Sequence, residues 1–228
     1  MEKRRFKYYI PIIMQKIGYI VFYPLQKFFV HLEIVGRENL ENIKGPIILA
    51  ANHTSELDTV TIHMVFPFFS RFYPIYYITN PTDKYNTYGW RSYFYGEVLF
   101  QAFGGYAVHS GFKDYGISLE DHIELLERGH TIQIYPEGKM TKDGKLNPAR
   151  GGLGYMVYKT GATVVPIAIN TFYNMSWREY LFRKRKVTLT ILKPLTENEI
   201  ATALEPMVED YRRTGQIVLD KINQVLNK

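Results

Sequence analysis

The stretch that decides the fold begins as an apolar run and ends in polar residues: Ile47-Ile48-Leu49-Ala50-Ala51-Asn52-His53-Thr54-Ser55-Glu56-Leu57-Asp58. Its first five residues are apolar throughout, as expected of a buried strand. Ser55 and Asp58, three residues apart, resemble a capping box and predict that a helix begins between them. The stretch therefore predicts a strand, a short loop and a helix in immediate succession, a pattern typical of an α/β domain.

The rest of the chain repeats this alternation of short apolar runs and longer amphipathic stretches. Runs rich in β-branched and aromatic residues predict strands at 31–35, 47–51, 75–78, 131–135, 163–169 and 187–192. Helices are predicted at 57–66, 90–102, 114–128, 152–160 and 197–226, the last divided if Pro206 interrupts it. We expect an α/β fold: a single domain at 31–228, with a mixed, largely parallel central sheet flanked by helices.

Residues 1–30 differ from the rest of the chain and form a predicted N-terminal segment. A basic start is followed by an uncharged stretch at 17–26, which falls short of the roughly 20 apolar residues that a membrane-spanning helix needs. We expect an amphipathic helical segment that lies in a membrane interface, with its lysines reaching toward the headgroups. The alternative is a helix that merely covers the core of the domain.

Composition narrows the partners and the compartment. Aromatic residues make up 15% of the 228 residues, and 28 Lys and Arg outnumber 22 Asp and Glu, which suits an anionic partner such as a phospholipid surface. The basic and aromatic segment 177–186 would equally fit nucleic acid, which is the rival interpretation from another class; we expect no nucleic acid. The chain has no cysteine, which gives no support for an oxidising compartment, so a cytoplasmic setting is expected. Together with the N-terminal segment, this predicts a peripheral or monotopic protein on the cytoplasmic face of a membrane.

His53 and Asp58 are the candidate catalytic pair. Five residues apart on a regular helix, their side chains would point about 140° apart, so they can meet only if His53 precedes the helix. A carboxylate bonded to one imidazole nitrogen fixes the tautomer and leaves the other nitrogen free as a general base. Taken alone, the spacing is also compatible with a helix-capping Asp58 and an unrelated loop histidine.

A second motif, Tyr135-Pro136-Glu137-Gly138, follows the predicted strand at 131–135. With Asn52-His53-x4-Asp58 upstream and Val164-Val165-Pro166-Ile167 downstream, in this order, it resembles the glycerolipid acyltransferase family over roughly residues 33–169. That family includes the lysophosphatidic acid and glycerol-3-phosphate acyltransferases. The motifs are specific for the family and say little about the substrate.

The resemblance implies acyl transfer from an acyl thioester, either acyl carrier protein or coenzyme A, to a hydroxyl of a lipid acceptor such as a lysophospholipid. His53 matches the family's general base and Asp58 its orienting carboxylate. It implies no metal and no organic cofactor. The predicted substrate-binding residues are Asn52, Ser55, Glu137, Gly138, Lys139 and Pro166. Backbone N–H groups near Asn52 or in the Glu137-Gly138 turn are candidate donors to an oxyanion.

Two departures from the family pattern concern the acceptor. The second family motif commonly ends in an Arg that holds a phosphate, and here that place falls on Ser110 or Gly111, after His109. The third motif commonly continues with Thr-Arg, whereas Lys139 and Met140 follow Gly138. Other cations could compensate, or the acceptor lacks a phosphate at that place. The candidates are Lys139, Lys142, Lys145 and Arg150.

Competing catalytic interpretations fit the sequence less well. Gly-Lys pairs lack the spacing of a phosphate-binding loop, and there is no Gly-x-Ser-x-Gly elbow of a serine hydrolase. A non-catalytic lipid-binding relative is a further alternative, but it does not explain why both His53 and Asp58 are present.

Overall fold

A single sheet organises the computed structural model, which describes residues 2–79, 97–108, 114–170 and 172–227. Within those ranges the sheet has seven strands in the order β1-β7-β6-β2-β5-β3-β4. Every neighbouring pair is parallel except β6 and β7, which run antiparallel. The strands are β1 (Glu33–Val35), β2 (Ile47–Ala51), β3 (Ile75–Thr79), β4 (Gly105–Ala107), β5 (Thr131–Ile134), β6 (Thr163–Asn170) and β7 (Thr188–Ile191).

Helices cover both faces of this sheet. They are α1 (Glu2–Phe29), α2 (Leu57–Ile62), α3 (Glu97–Ala102), α4 (Tyr115–Ser118), α5 (Glu120–Glu127), α6 (Gly152–Thr160), α7 (Trp177–Leu181), α8 (Glu197–Ile200) and α9 (Val208–Leu226). Two short 3-10 turns lie at Arg37–Leu40 and His63–Val65. The predicted α/β fold with a mixed, largely parallel sheet is therefore confirmed.

The core consists of two apolar layers, one on each face of the sheet. Because successive strand residues point to opposite faces, Ile47, Leu49 and Ala51 of β2 enter one layer, and Ile48 and Ala50 enter the other. Residues of α1 and α2 complete the first layer, and residues of α5, α6 and α9 complete the second. The uninterrupted apolar run in the sequence of β2 is explained by this burial on both faces.

The N-terminal helix α1 attaches to the domain through polar side chains. Gln15, which is buried, donates from Nε2 to the carbonyls of Ile75 and Phe103 (2.6 Å each) and accepts the N–H of Ile75 at 2.9 Å. Gln26, also buried, accepts a hydrogen bond from the Thr61 hydroxyl at 2.8 Å. These contacts fix α1 against the start of β3 and against α2.

The opposite side of α1 is apolar and exposed. Ile10, Ile13, Ile17, Val21 and Phe28 lie there, at intervals that keep them on one helical face. The helix thus directs Gln15 and Gln26 inward, together with Tyr19 and Tyr23 that pack against the core, and leaves a row of apolar side chains exposed on its outer face. None of the helices in the described residues has both the length and the apolar character needed to span a membrane.

The predicted secondary structure differs from the observed one at particular elements. All six predicted strands are present, but β4 was not predicted because three residues beginning with Gly105 carry no strand pattern. The predicted helix at 114–128 is divided at Leu119, and the predicted C-terminal helix is divided at 201–207, around Pro206. Helix α7 was also missed, although Ser176 and Glu179 form a complete capping box there. For the predicted helix at 90–102, residues 90–96 lie outside the described residues.

Candidate active site

The candidate site lies where neighbouring parallel strands end. His53 follows β2 by two residues, Tyr135 follows β5 directly, and Ile169 lies near the end of β6. Since β5, β2 and β6 are adjacent and parallel, their carboxyl ends lie at one edge of the sheet. Crevices outside these ends are the usual ligand sites of open α/β sheets. The two sequence motifs, 84 residues apart between His53 and Glu137, are thereby brought into contact.

His53 and Asp58 form a hydrogen-bonded pair. His53 Nδ1 lies 3.2 Å from Asp58 Oδ2, and the Asp58 side chain is fully buried whereas that of His53 is 17% exposed. Asp58 Oδ2 also accepts the backbone N–H groups of Thr54 (2.5 Å) and Ser55 (2.7 Å), and Oδ1 accepts the Thr54 hydroxyl at 3.2 Å. A buried carboxylate with this many donors remains in one orientation and holds the imidazole in place.

The local chain path explains how the two side chains meet. Helix α2 begins at Leu57, between Ser55 and Asp58, so Asp58 lies in the first turn while His53 precedes the helix. The predicted capping box is not formed, because the N-cap is Glu56 and it makes no side-chain cap hydrogen bond. Asp58 instead accepts the N–H of Ser55, and the Ser55 hydroxyl accepts from Leu57 (3.3 Å). The Asp58 side chain therefore holds the loop that precedes the helix and orients the histidine.

Tyr135 is a site residue that the sequence did not single out. Its ring stacks on the imidazole of His53, with ring centroids 3.8 Å apart and planes 6° apart. Its hydroxyl contacts the Thr59 hydroxyl at 2.9 Å and accepts from Gln133 Nε2 at 3.0 Å. Burial, and secondarily the nearby Asp58 charge, raise the pKa of the Tyr135 phenol well above its ordinary value, so it stays neutral. The sequence signal that could have identified Tyr135 is its position as an aromatic residue at the end of a strand, immediately before Pro136.

Glu137 ties three parts of the site together. Its Oε1 accepts the backbone N–H of His53 at 3.0 Å, and its Oε2 accepts the backbone N–H (2.6 Å) and side-chain amide (3.0 Å) of Asn147. The buried carboxylate thus positions the backbone of the candidate base. Gly138 adopts φ +66°, and a Cβ there would come within 2.6 Å of Arg150 Cδ, so the turn requires glycine.

The other predicted substrate-binding residues lie in different surroundings. Asn52 is buried and its amide pairs with the backbone of Ile169, donating to the carbonyl (3.0 Å) and accepting the N–H (2.8 Å). Pro166 is buried in the middle of β6, opposite Ala50, and Ser55 contributes to the helix start. Lys139 is exposed just after the turn. His109, Ser110 and Gly111 lie outside the described residues.

The backbone donors suggested for an oxyanion are engaged within the protein. The N–H groups of His53, Thr54 and Ser55 donate to Glu137 and Asp58, and that of Gly138 donates to the Tyr135 carbonyl at 2.9 Å. The geometry therefore argues against these four groups as free oxyanion donors.

Two cavities meet at His53. An apolar cavity of about 420 Å³ lies between α1, α2, β3 and α3, and its walls include Tyr19, Phe22, Val60 and Phe103. A second cavity, of about 470 Å³, lies on another side, between the 137–146 loop, the end of β6 and the end of α9. Most of its lining residues are polar, so it is called the polar cavity, although Leu146, Ile169 and Leu226 add apolar wall. His53 lines both, so this residue borders an apolar and a polar compartment.

Three other histidines of the described chain, His63, His122 and His130, are held by packing. His63 contacts the Thr59 carbonyl through Nδ1 (2.7 Å), and burial lowers its pKa. His122 is buried with Nε2 3.2 Å from the Tyr106 carbonyl, and burial, followed by the Arg128 charge, lowers the pKa of His130. The described residues hold no cluster of three or more His, Asp or Glu side chains that would suit a metal ion.

Comparison with known proteins identifies the family. The model of the family described as Acyltransferase matches residues 31–170, which is more than half of the chain. The chain belongs to this acyltransferase family. The matched residues contain His53, Asp58, the Glu137-Gly138 turn and Pro166, so the motifs and the two cavities lie in or beside the acyltransferase domain.

Individual relatives agree with this assignment. The chain is 27% identical over 179 residues to a 1-acyl-sn-glycerol-3-phosphate acyltransferase of Chlamydomonas reinhardtii, covering 77% of this chain and 50% of that protein. A chloroplastic enzyme of the same name from Arabidopsis thaliana is 28% identical over 170 residues, covering 73% and 42%. The chain therefore spans about half the length of these relatives.

A solved structure has the same fold. The crystal structure of the 1-acyl-sn-glycerophosphate acyltransferase PlsC from Thermotoga maritima superposes with a TM-score of 0.64 at 19% identity. The alignment covers 99% of this chain and 83% of that one.

Proposed function

We propose that this acyltransferase-family protein transfers a fatty acyl group from an acyl thioester to a hydroxyl of a lipid acceptor such as a lysophospholipid. The observation that carries the proposal is that His53, bonded to the buried Asp58, lines both an apolar and a polar cavity. A reaction between an acyl chain and a polar alcohol needs such a base at the junction of two compartments. Relatives named as 1-acyl-sn-glycerol-3-phosphate acyltransferases support the same chemistry.

The proposed reaction uses the two imidazole nitrogens for different tasks. The Nδ1–H donates to Asp58, which leaves the Nε2 lone pair to take the proton of the acceptor hydroxyl. The oxygen then forms a bond to the thioester carbonyl carbon. When the tetrahedral intermediate collapses, the carbon–sulfur bond breaks and the imidazolium returns the proton to the leaving thiolate. The Asp58 charge stabilises the imidazolium while it exists.

The two cavities support a separate compartment for each substrate. The apolar cavity, walled by aromatic and aliphatic side chains of α1, α2 and α3, suits a hydrocarbon chain. The polar cavity is lined by Asn170, Tyr173, Asn223 and Lys145, which suit the headgroup and hydroxyls of an acceptor. Both acyl carrier protein and coenzyme A are compatible with this arrangement as the carrier of the thioester.

A membrane surface is the proposed location, and α1 and α7 supply the contacts. The exposed isoleucines of α1 continue into Phe28, whose ring lies 4.5 Å from the Arg183 guanidinium carbon. Beyond it, Phe29 stacks on Tyr180 of α7, and Trp177 is 75% exposed. Exposed apolar and aromatic residues flanked by cations fit the interface of an anionic bilayer. Placement on the cytoplasmic face stays a prediction.

The substrates can be identified by mass spectrometry of lipid products. The protein would be incubated in detergent micelles with acyl carrier protein and coenzyme A thioesters, and with acceptors that carry or lack a phosphate. We expect an ester product with at least one donor and acceptor pair and none with heat-denatured protein. Absence of product from every pair, with a known lysophosphatidic acid acyltransferase active in parallel, would refute the proposal.

The membrane contact can be tested by removing the outward apolar face of α1. Because Gln15 and Gln26 fasten this helix to the domain, substitution is a cleaner test than deletion. We expect the Ile10→Ser, Ile13→Ser and Ile17→Ser triple variant to lose most of its sedimentation with anionic liposomes. The control carries Leu204→Ser and Met207→Ser, which are exposed elsewhere in the chain. Equal sedimentation of both variants would contradict a membrane role for α1.

A further inference from the structure

Lys145 is distinguished by its position in the polar cavity from the other cations that could bind a phosphate of the acceptor. Four cations follow the Tyr135-to-Gly138 turn, at positions 139, 142, 145 and 150. Among the described residues that line the polar cavity, Lys145 is the one cation. Arg150 instead packs its side chain against Gly138, and Lys142 contributes its carbonyl to the Tyr173 hydroxyl at 2.9 Å. Tertiary structure thus selects one residue where the sequence left four.

We propose that Lys145 recognises a phosphate group on the acceptor lipid. The inference rests on the proposed function and names the residue that would set its acceptor class. An ammonium group is a point charge with three donors, which attracts phosphate without the fixed two-pronged geometry of arginine. The Lys145 ammonium would bind the phosphate in place of the two Arg residues that the family commonly has in its second and third motifs and that this sequence lacks at those positions.

The loop that carries Lys145 is tied to the candidate base. The Thr141 N–H donates to the His53 carbonyl at 2.9 Å, and the Thr141 hydroxyl donates to the Lys145 carbonyl at 2.6 Å. The Lys145 N–H in turn donates to Asp143 at 3.0 Å. Two hydrogen bonds through one threonine therefore connect the backbone of the base to the backbone of the lysine. Such a link keeps the phosphate site at a fixed distance from the reacting hydroxyl.

The remaining polar walls of the cavity suit the rest of a headgroup. Asn170, Asn223 and Tyr173 offer amide and hydroxyl groups to phosphate or glycerol oxygens. Glu137 also lines the cavity, but its two oxygens accept N–H groups from His53 and Asn147, which offsets its negative charge. The positive charge of Lys145 would therefore make the cavity bind an acceptor that carries a phosphate more tightly than one that lacks it.

The kinetic test compares two acceptors that differ only in phosphate, lysophosphatidic acid and monoacylglycerol. We expect Lys145→Ala to raise KM for lysophosphatidic acid about 10-fold or more, because a charge-assisted contact is lost. The same substitution should change KM for monoacylglycerol less than about threefold, because monoacylglycerol has no phosphate to pair with Lys145. Lys145→Arg should recover most of the loss. Lys142→Ala, at an exposed lysine that does not line the cavity, is the matched control and should resemble the unmodified protein.

A binding measurement separates this inference from the proposed reaction. Titration calorimetry with sn-glycerol 3-phosphate, with glycerol as its uncharged counterpart, needs no turnover. We expect phosphate-dependent binding that Lys145→Ala weakens and Lys142→Ala preserves. If this pattern appears without acyl transfer, the phosphate site stands and the proposed reaction falls. If transfer occurs but Lys145→Ala alters neither glycerol 3-phosphate binding nor KM, or raises KM equally for both acceptors, the inference on Lys145 is overturned.

Discussion

The apolar and polar cavities share His53 and are similar in volume, but they differ in the elements that form them and in the residues that line them. The apolar cavity is formed largely by helices, with α1 laid over α2 and α3. The polar cavity is formed by a loop, the end of a strand and the end of α9. Helical walls present contiguous aliphatic and aromatic side chains, whereas loop and terminus residues here present amides, a lysine and a tyrosine. Under the proposed assignment of substrates, this difference predicts that substrate preference can change on one side without disturbing the other.

The strongest challenge to this comparison is to remove the group that both cavities share. We expect His53→Ala to lower kcat by about 10²- to 10⁴-fold, because a positioned general base is lost. Steady-state kinetics with labelled acyl thioester measures the effect, and circular dichroism checks the fold. The control is His31→Asn, at an exposed histidine whose φ of 46° asparagine tolerates. Near-normal turnover by His53→Ala would contradict the proposal that His53 is the general base.

Asp58 tests whether the base must be oriented. Asp58→Asn keeps the shape but cannot match the carboxylate as an acceptor for His53, Thr54 and Ser55. We expect kcat to fall by about 10²- to 10³-fold, less than for His53→Ala because the imidazole remains.

The double variant shows whether the two residues act as a unit. Adding Asp58→Asn to His53→Ala should lower kcat little further, since Asp58 acts through the imidazole. Asp114→Asn, which removes a carboxylate that accepts a backbone N–H far along the chain, is the matched control. Fully additive losses in the double variant would mean that Asp58 serves some purpose other than orienting His53.

The apolar side alone can be altered through Val60, which lines that cavity. Val60→Phe should fill part of the space and shift preference toward shorter acyl chains, by about fourfold for each methylene excluded. The ratio of kcat/KM across a series of acyl thioesters measures the shift. Val98→Phe is the control, because Val98 is 83% exposed and lies outside the cavity lining. A changed acceptor preference with an unchanged chain-length profile would reverse the assignment of the two cavities.

The smallest expected effect concerns Tyr135, which packs against the shared histidine. Tyr135→Phe keeps the stacked ring but removes the hydroxyl contacts with Thr59 and Gln133. We expect the free energy of unfolding to fall by about 1–2 kcal/mol and kcat to change less than about threefold. Urea denaturation measures the first quantity. The control Tyr173→Phe loses a more exposed hydrogen bond and should cost less; a large kcat loss in Tyr135→Phe would instead assign the phenol a chemical role.

Prediction from sequence succeeded where the signal is local and failed where partners come from distant parts of the chain. Strand β2 and the start of α2 carry their own apolar run and capping pattern, so both were predicted. Tyr135 was missed because its importance lies in a ring contact with His53, 82 residues earlier, as the numbering shows. Gln15 and Gln26 were not singled out in the N-terminal segment, but they are residues that fasten α1 to the domain.

The sequence by itself determined the α/β architecture, the family, and the His53–Asp58 pair, because each depends on residue types at fixed short spacings or in a fixed order. Only the tertiary structure decided that the pair stands between two unlike cavities, and that Lys145 rather than its basic neighbours lines the polar one. The physical reason is that a cavity is formed by elements far apart in the chain. Its walls follow from how β2, β5, α1 and α9 pack, and no local pattern records that packing.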